Sequence, residues 1–412
     1  MGLDSKIKKI LMVFTLFPYP LRAHGVSVRY LPIIDHLSGK YEINLIIITG
    51  KEDEIKNINA LQKYCKKISV IGDPRCVEHS IYTKIITFSK YISPWNPPTT
   101  FISHNGRSVT QGIKEATQNE HYSAVIWVGS YLLPNMISAL PSISTERIIV
   151  DFIDSPSLWA KRRKDKVFQG NFDFLEKYER WKIKKWESKT INSVDSVIYI
   201  SSVDANNLQH SCTPGRIRHV IPNGINIDGN SKEKNPDIPS PNIGFLGNMG
   251  YAPNIEAVHW LYENVYIPLR NKMQNLSLII VGRDPVESIK EMGKFPGVMV
   301  TGTVEEIWPY VNSIDIFVFP IRTGAGMKNK ILEAMYAGKP VLTTTVGNEG
   351  IDAVVGKDIS ICRTPEEFQE EVLRMIASPE ERQKKGYSAH KFVVEQYSWD
   401  KILHNYEVLI NA

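Results

Sequence analysis

The sequence predicts an α/β protein made of two doubly wound parallel-sheet domains facing each other across a cleft. Three observations carry that expectation. Short β-branched runs alternate with longer helical patterns along the whole chain, as in sheets built from βαβ units. Most of these runs are almost continuously apolar, which fits strands covered by helices on both faces. The alternation stops once, at a polar stretch rich in Pro, Ser and Asn, and then restarts. At 412 residues the chain is also longer than one hydrophobic core ordinarily serves.

In the first half the strand candidates are KILMVF, EINLIIIT, KKISVI, SAVIWV, RIIVDFI, DSVIYIS and RHVIP. GNSKEKNPDIPSPN follows VIPNGIN and has the composition of a linker. The second half offers NIGFLG, LSLIIVG, VMVTG, DIFVFP, PVLTT and DISICR, separated by helical segments such as NIEAVHWLYENV and MKNKILEAMYAG. The expected division is a first domain over 1–225, a linker over 226–241, a second domain over 242–395, and a helix over 396–412 that returns to the first domain.

Composition narrows the function classes. With 42% hydrophobic and 23% charged residues the chain is ordinarily globular. A net charge of +5 over this length argues against a dedicated nucleic-acid binder and leaves room for an anionic ligand or an acidic membrane surface. The four cysteines form no metal-binding spacing, so the expectation is a reduced, cytoplasmic protein without disulfides. The N-terminal apolar run is short and broken by prolines, and it reads as a first strand, not as a signal or membrane span.

The stretch TGAGMKNKILEAMYAGKPV, residues 323–341, carries the sharpest chemical signal. It begins just after the DIFVFP strand, where ligands of doubly wound sheets bind. Gly324 and Gly326 let the backbone approach a ligand closely, and the first amides of a helix starting near Met327 suit a phosphate. Arg322, Lys328 and Lys330 add positive charge. Lys328 and Lys330 lie roughly 200° apart on a helix, so only one faces a given point. Lys330, three residues before Glu333, shares its face and is the expected ligand-facing lysine. Glu333 can accept hydrogen bonds from a diol such as a ribose. Solvated i, i+3 partners on a surface helix would show the same spacing.

The helix KNKILEAMYAGKPVL and the following TTTVGNEGI resemble the C-terminal signature of family-four glycosyltransferases, retaining enzymes of the GT-B fold with two Rossmann-like domains. The resemblance extends through PYPLRAHGVSVRYLPIIDHL, VIPNGIN, GFLGNMGYAPNIEAVHWL and YSWDKILHNYEVL, and so over nearly the whole chain. IVDFIDSPSLW, with FLGNMGYAPN and the NKILEAM helix, is similar to a bacterial subgroup of exopolysaccharide-associated sugar transferases. The resemblance implies transfer from a nucleotide-diphosphate sugar, with Glu333 on the ribose. It also marks two departures. The family's first glutamate, on the donor sugar, falls here on Ala325. Asn248 and Asn254 occupy places where many relatives carry an Arg and a Lys for the diphosphate, which leaves that charge to Arg322, Lys328 or Lys330. The backbone of 324–328, including Met327, is then available to the donor sugar, and Glu349 is a further donor-contact candidate.

The first domain is expected to hold the acceptor. By resemblance, Gly25 approaches the donor phosphate, and His24, in place of a second glycine, touches phosphate or acceptor or is a turn residue half in solvent. Asp151 and Asp154 end the RIIVDFI strand, well placed to contact an acceptor hydroxyl as catalytic carboxylates. Alternatively Asp154-Ser155-Pro156 caps the next helix. No DxD motif of metal-dependent glycosyltransferases occurs in a suitable loop, so neither metal nor cofactor is expected.

Residues 159–189 hold eleven Lys or Arg and five acidic residues, with Trp159, Trp181 and Trp186 among them. This segment could contact an anionic membrane peripherally. In the other reading, Phe172, Leu175, Tyr178 and Trp181 pack inward as core.

The leading function is therefore a retaining, metal-independent glycosyltransferase acting on a saccharide or lipid-linked acceptor in surface polysaccharide or glycolipid assembly. It would work in the cytoplasm or at the inner membrane face. The alternatives are a nucleotide-sugar 2-epimerase of the same fold and a nonenzymatic nucleotide-sugar-binding subunit.

Overall fold

The computed structural model describes residues 7–20, 25–72, 96–98, 101, 106–162, 173–208, 217–226, 232–323 and 326–412. Its contacts divide the chain into two compact units, Met1–Ile221 with Leu403–Ala412, and Pro222–Ile402. Each is built on a parallel sheet.

Unit 1 contains β1 (Lys9–Phe14), β2 (Glu42–Ile48), β3 (Lys67–Ile71), β4 (His121–Tyr122), β5 (Ala124–Val128), β6 (Ser144–Thr145), β7 (Ile148–Ile153), β8 (Ser196–Tyr199) and β9 (Ile217–Val220). Its main sheet has the order β3-β2-β1-β5-β7-β8-β9, and β4 pairs separately with β6. Unit 2 contains β10 (Asn242–Leu246), β11 (Ser277–Val281), β12 (Val298–Val300), β13 (Ile316–Phe319), β14 (Val341–Thr343) and β15 (Ser360–Ile361), in the order β12-β11-β10-β13-β14-β15. The central strands β1, β5, β10, β11 and β13 are buried nearly throughout, as their unbroken apolar sequences require. In both sheets the strand order reverses once, between β1 and β5 and between β10 and β13. Ligands of such sheets bind outside the carboxyl ends at these reversals.

Several helices bear on the two reversals. They are α1 (Gly25–Ser38), α2 (Pro156–Arg162), α3 (Asp173–Ser193), α4 (Ala252–Leu261), α5 (Asn329–Tyr336) and α6 (Trp399–Asn411). The last of these carries the chain back into unit 1. Tyr406 donates to Asp151 at 2.5 Å, Asn411 donates to the Tyr41 hydroxyl at 2.7 Å, and Lys40 reaches Glu407 at 2.6 Å.

The polar stretch expected as a linker is fastened to unit 2 over its described residues. Asn235 N–H donates to Pro309 O at 3.1 Å and to Ser313 Oγ at 2.8 Å, and Ser240 donates to Asp315 at 2.6 Å. Its Asn, Ser and Pro serve turns packed on a domain. The first turn of α6 also groups with unit 2, because Ile225 N–H donates to Tyr397 O at 2.7 Å beside it. A Cβ on Gly224 would lie 2.4 Å from the Trp399 ring, so PNGIN needs its glycine to pass that side chain. Among the described residues no helix is long and apolar enough to cross a membrane.

Candidate active site

In unit 2 the loop after β10 and the loop after β13 meet at the reversal of strand order. The first is folded by its own asparagines. Asn248 Oδ1 accepts from Gly250 N–H at 2.7 Å, and Asn254, buried near the start of α4, donates to Asn248 O at 2.8 Å. Gly282, after β11, passes so close that a Cβ there would sit 1.7 Å from Gly247 O, so two backbones cross where no side chain fits.

The second loop brings in the cations. Gly326 has φ +75, a left-handed conformation that glycine adopts freely, and this delays the start of α5 to Asn329, two residues later than expected. Lys328 Nζ donates to Gly326 O, across the turn. Lys330 Nζ donates to Asn254 Oδ1 and lies 4.9 Å from the centroid of the Phe245 ring. Burial, reinforced by the Lys328 charge and opposed by Glu333, pushes the Lys330 ammonium down to about 7. A half-buried ammonium held on a neutral amide and an aromatic face is poised to gain from an anion.

Of the sequence candidates, the structure brings Asn248, Asn254, Gly326, Met327, Lys328, Lys330 and Glu333 together in unit 2. Asn254 acts through Lys330, and the Met327 side chain is buried. Arg322 is exposed. Glu349 follows a short helix whose Thr344 donates to Ile321 O, which ties its loop to the one after β13. Gly324, Ala325 and His24 lie outside the described residues. Glu256 of α4 is a residue the sequence reading missed. Thr323 Oγ1 donates to its Oε2 at 3.2 Å, so a carboxylate stands at the start of the glycine turn. Its signal was hidden within NIEAVHWL, where it reads as an ordinary helix acid.

In unit 1 the reversal between β1 and β5 opens into a cavity of about 490 Å³ lined by Leu16, Gly129, Tyr131, Phe152, Asp154 and Trp159, among others. Gly25 opens α1 in this same unit. β7 ends in a bulge, with Ile153 at φ +67. A β-branched residue in the left-handed region is strained, and here the strain sits beside Asp154 at the cavity wall.

Asp151 is not part of this cavity, which corrects its assignment as a catalytic carboxylate. It is fully buried and pairs with Arg29, whose Nη2 donates at 2.9 Å and Nε at 3.2 Å. Tyr406 donates to the same carboxylate, and burial holds that phenol well above its ordinary range, so it remains a donor. Arg29 also donates to Ile221 O at 2.9 Å. Asp151 thus joins α1, β7, the end of β9 and α6.

The cap of α2 belongs to Ser155, whose Oγ accepts from Leu158 N–H at 3.3 Å. Behind it, fully buried Glu187 of α3 accepts from Ser155 Oγ, Ser157 N–H and Tyr199 Oη, each at 2.9 Å. Burial raises the Glu187 carboxyl, and these donors pull it back. The chain around Asp154 is therefore held by buried polar contacts one helix away.

Residues 240–378 match the family model described as glycosyl transferases group 1. The chain carries a glycosyltransferase domain, and it is an enzyme of that class. An uncharacterized 44.6 kDa protein in the cps region of Klebsiella pneumoniae is 21% identical over 96% of this chain and 97% of its own length. An uncharacterized glycosyltransferase of Methanocaldococcus jannaschii is 24% identical over 63% of this chain and 70% of its own. Among solved structures, a TarM variant of S. aureus in complex with Fondaparinux, alpha-GlcNAc-glycerol and UDP superposes with a TM-score of 0.65 at 12% identity, covering 98% of this chain and all of that one. The fold is GT-B, two doubly wound parallel-sheet units in one chain.

Proposed function

We propose that the protein moves a sugar, with retention, from a nucleoside-diphosphate sugar to a saccharide or lipid-linked acceptor in surface polysaccharide or glycolipid assembly. The observation that carries the reading is the glycine turn at the β10–β13 reversal, with Lys328 across it and Lys330 held behind it by Asn254. Breaking the anomeric C–O bond places negative charge on the departing diphosphate. Preorganised amides and ammonium groups stabilise that charge without reorganising. The acceptor oxygen bonds to the anomeric carbon as the bond to phosphate breaks, and its proton passes to the departing phosphate oxygen. Asp154 orients the acceptor hydroxyl, and Glu333 holds the ribose. The uridine diphosphate of the TarM complex and the cps-region origin of the Klebsiella relative support donor class and setting.

Glu256 takes the donor-sugar role that the resemblance gives to a glutamate at position 325. Conversion of Glu256→Gln is expected to lower kcat/KM by about tenfold and to change the ranking among donor sugars, since a site built to hydrogen-bond a hydroxyl discriminates strongly. An unchanged ranking removes that role.

Incubation with a panel of nucleotide sugars and saccharide acceptors, scoring diphosphate release and sugar isomerisation separately, tests the whole reading. Acceptor-dependent release with the anomeric configuration kept, undiminished by a chelator, is the expected result. Isomerisation without an acceptor would overturn it.

A further inference from the structure

Helix α3 resolves the two readings of the basic segment in an unforeseen way. Of the residues expected in the core, Trp181 is 46% exposed, half-buried Tyr178 stacks on it at 5.6 Å between ring centroids, Leu175 is half-buried, and Phe172 lies outside the described residues; the neighbouring Phe174 is 69% exposed. The buried face carries Glu176, Glu179, Lys182 and Glu187 beside Ile183 and Trp186, so Trp186 packs inward and is not a membrane-facing ring. Burial pushes the Lys182 ammonium down while Glu179 opposes it. Charged side chains thus share the inner side with Ile183 and Trp186, and Phe174 and Trp181 are left to the solvent side.

That outer side is also basic. Lys177, Lys184, Lys185 and Lys189 are exposed, and on a helical wheel they fall within roughly 80° of Phe174. Lys185 Nζ lies 5.1 Å from the Trp181 ring centroid. Along this outer stripe from Phe174 to Lys189 the sequence has no acidic residue. Isolated exposed rings are unremarkable on a soluble surface, but three rings set among lysines on one helix face form a pattern. On the opposite side of the same helix, Ile183 helps to wall the cavity that contains Asp154, together with Trp159 of α2.

We infer that the outer face of α3 is a docking surface for an anionic lipid bilayer, with the rings at headgroup level and the lysines on lipid phosphates. Charge complementarity selects this occupant. The chemistry of the rings adds a preference for an interface that is apolar on one side and wet on the other. Docking would hold the Asp154 cavity at a surface where lipid-linked saccharides reside. The surface itself does not depend on the reaction assigned to unit 2.

The test is co-sedimentation of the full chain with vesicles of phosphatidylcholine alone or mixed with phosphatidylglycerol. The protein is expected to bind the mixed vesicles, not the neutral ones, and to be released by salt. Two variants, Lys177→Glu with Lys184→Glu, and Phe174→Ser with Trp181→Ser, should each weaken binding by about tenfold or more while melting temperature stays unchanged. Equal partition into both vesicles would overturn the inference. So would undiminished binding by both variants, or a dimer of the free protein that these variants dissolve, which would make the face an interface between copies. Should either pair lower the melting temperature, the single Lys184→Glu variant supplies the same comparison at one exposed position.

Discussion

In unit 1 the crevice between β1 and β5 is walled by Leu16, Tyr131, Phe152 and Trp159, with Asp154 among them. In unit 2 the crevice between β10 and β13 is shaped by a left-handed glycine and crossed by lysines. The order of strands about the two reversals is the same: three strands run outward on one side and the remainder on the other. Topology therefore supplies two equivalent places, and the residues decide what each can take. Unit 1 buries the Asp151–Arg29 pair away from the cavity and leaves rings and Asp154 among the described residues that line it. Unit 2 sets Lys328 across its glycine turn and half-buried Lys330 behind it, where an anion can use them. The first chemistry suits a sugar or lipid-linked acceptor and the second a diphosphate.

The sharpest way to break the comparison is to exchange the roles of the two aspartates. Asp151→Asn leaves Arg29 buried beside a neutral partner, and removing one member of a buried pair costs about 3–5 kcal/mol. A large fall in urea midpoint is expected, with donor affinity retained by whatever remains folded. Asp154→Asn should do the reverse, leaving the midpoint in place while kcat falls about 100-fold, in the range of a lost acid–base or positioning group. If both variants lose stability alike, Asp154 belongs with the scaffold.

Lys330→Met comes next. Losing a preorganised stabiliser of developing charge costs about 10²–10³ in kcat/KM. The same change deletes an ammonium that burial disfavours, so the melting temperature should hold or rise. Donor titration by calorimetry separates the two effects. A variant that melts earlier and binds donor normally would reduce Lys330 to a packing residue.

How much of this was legible in the sequence differs between the same two regions. All thirteen strand candidates appear as strands of the two main sheets, because a strand covered on both faces needs an unbroken apolar run and little else resembles one. Among the described residues, only β4 and β6, two residues each and bonded to one another, escaped notice. The unit 2 loop was readable because its chemistry is local: glycine, lysine and glutamate lie within eleven residues of Thr323. Unit 1 was not, because its chemistry is assembled from afar. Arg29 meets Asp151 and Tyr406 from opposite ends of the chain. Glu187 is buried only because Ser155, Ser157 and Tyr199 on other elements satisfy it. A helical wheel assumes that charge faces water, and α3 breaks that assumption at Glu176, Glu179, Lys182 and Glu187. Glu256 failed for the same reason, since its partner Thr323 lies on a loop sixty-seven positions away.

The gentlest probe is proton linkage at Lys330, and it needs no mutation. Burial holds this ammonium near 7, so in the free enzyme it is protonated below that pH and mostly neutral above it. A diphosphate favours the charged form and raises the pKa in the complex. Between the two values, binding the donor takes up one proton, and affinity falls as pH rises by up to about tenfold per unit. Below pH 7 Lys330 is charged in both states and contributes no slope. Calorimetry of nucleoside diphosphate in two buffers of different ionisation enthalpy should detect that uptake at pH 8 and its disappearance in Lys330→Met. The unit 1 cavity holds no comparable cation among its described lining residues, so acceptor affinity should stay flat over the same range. A donor affinity equally flat from pH 7 to 9 would mean that the turn in unit 2 does not meet phosphate through Lys330.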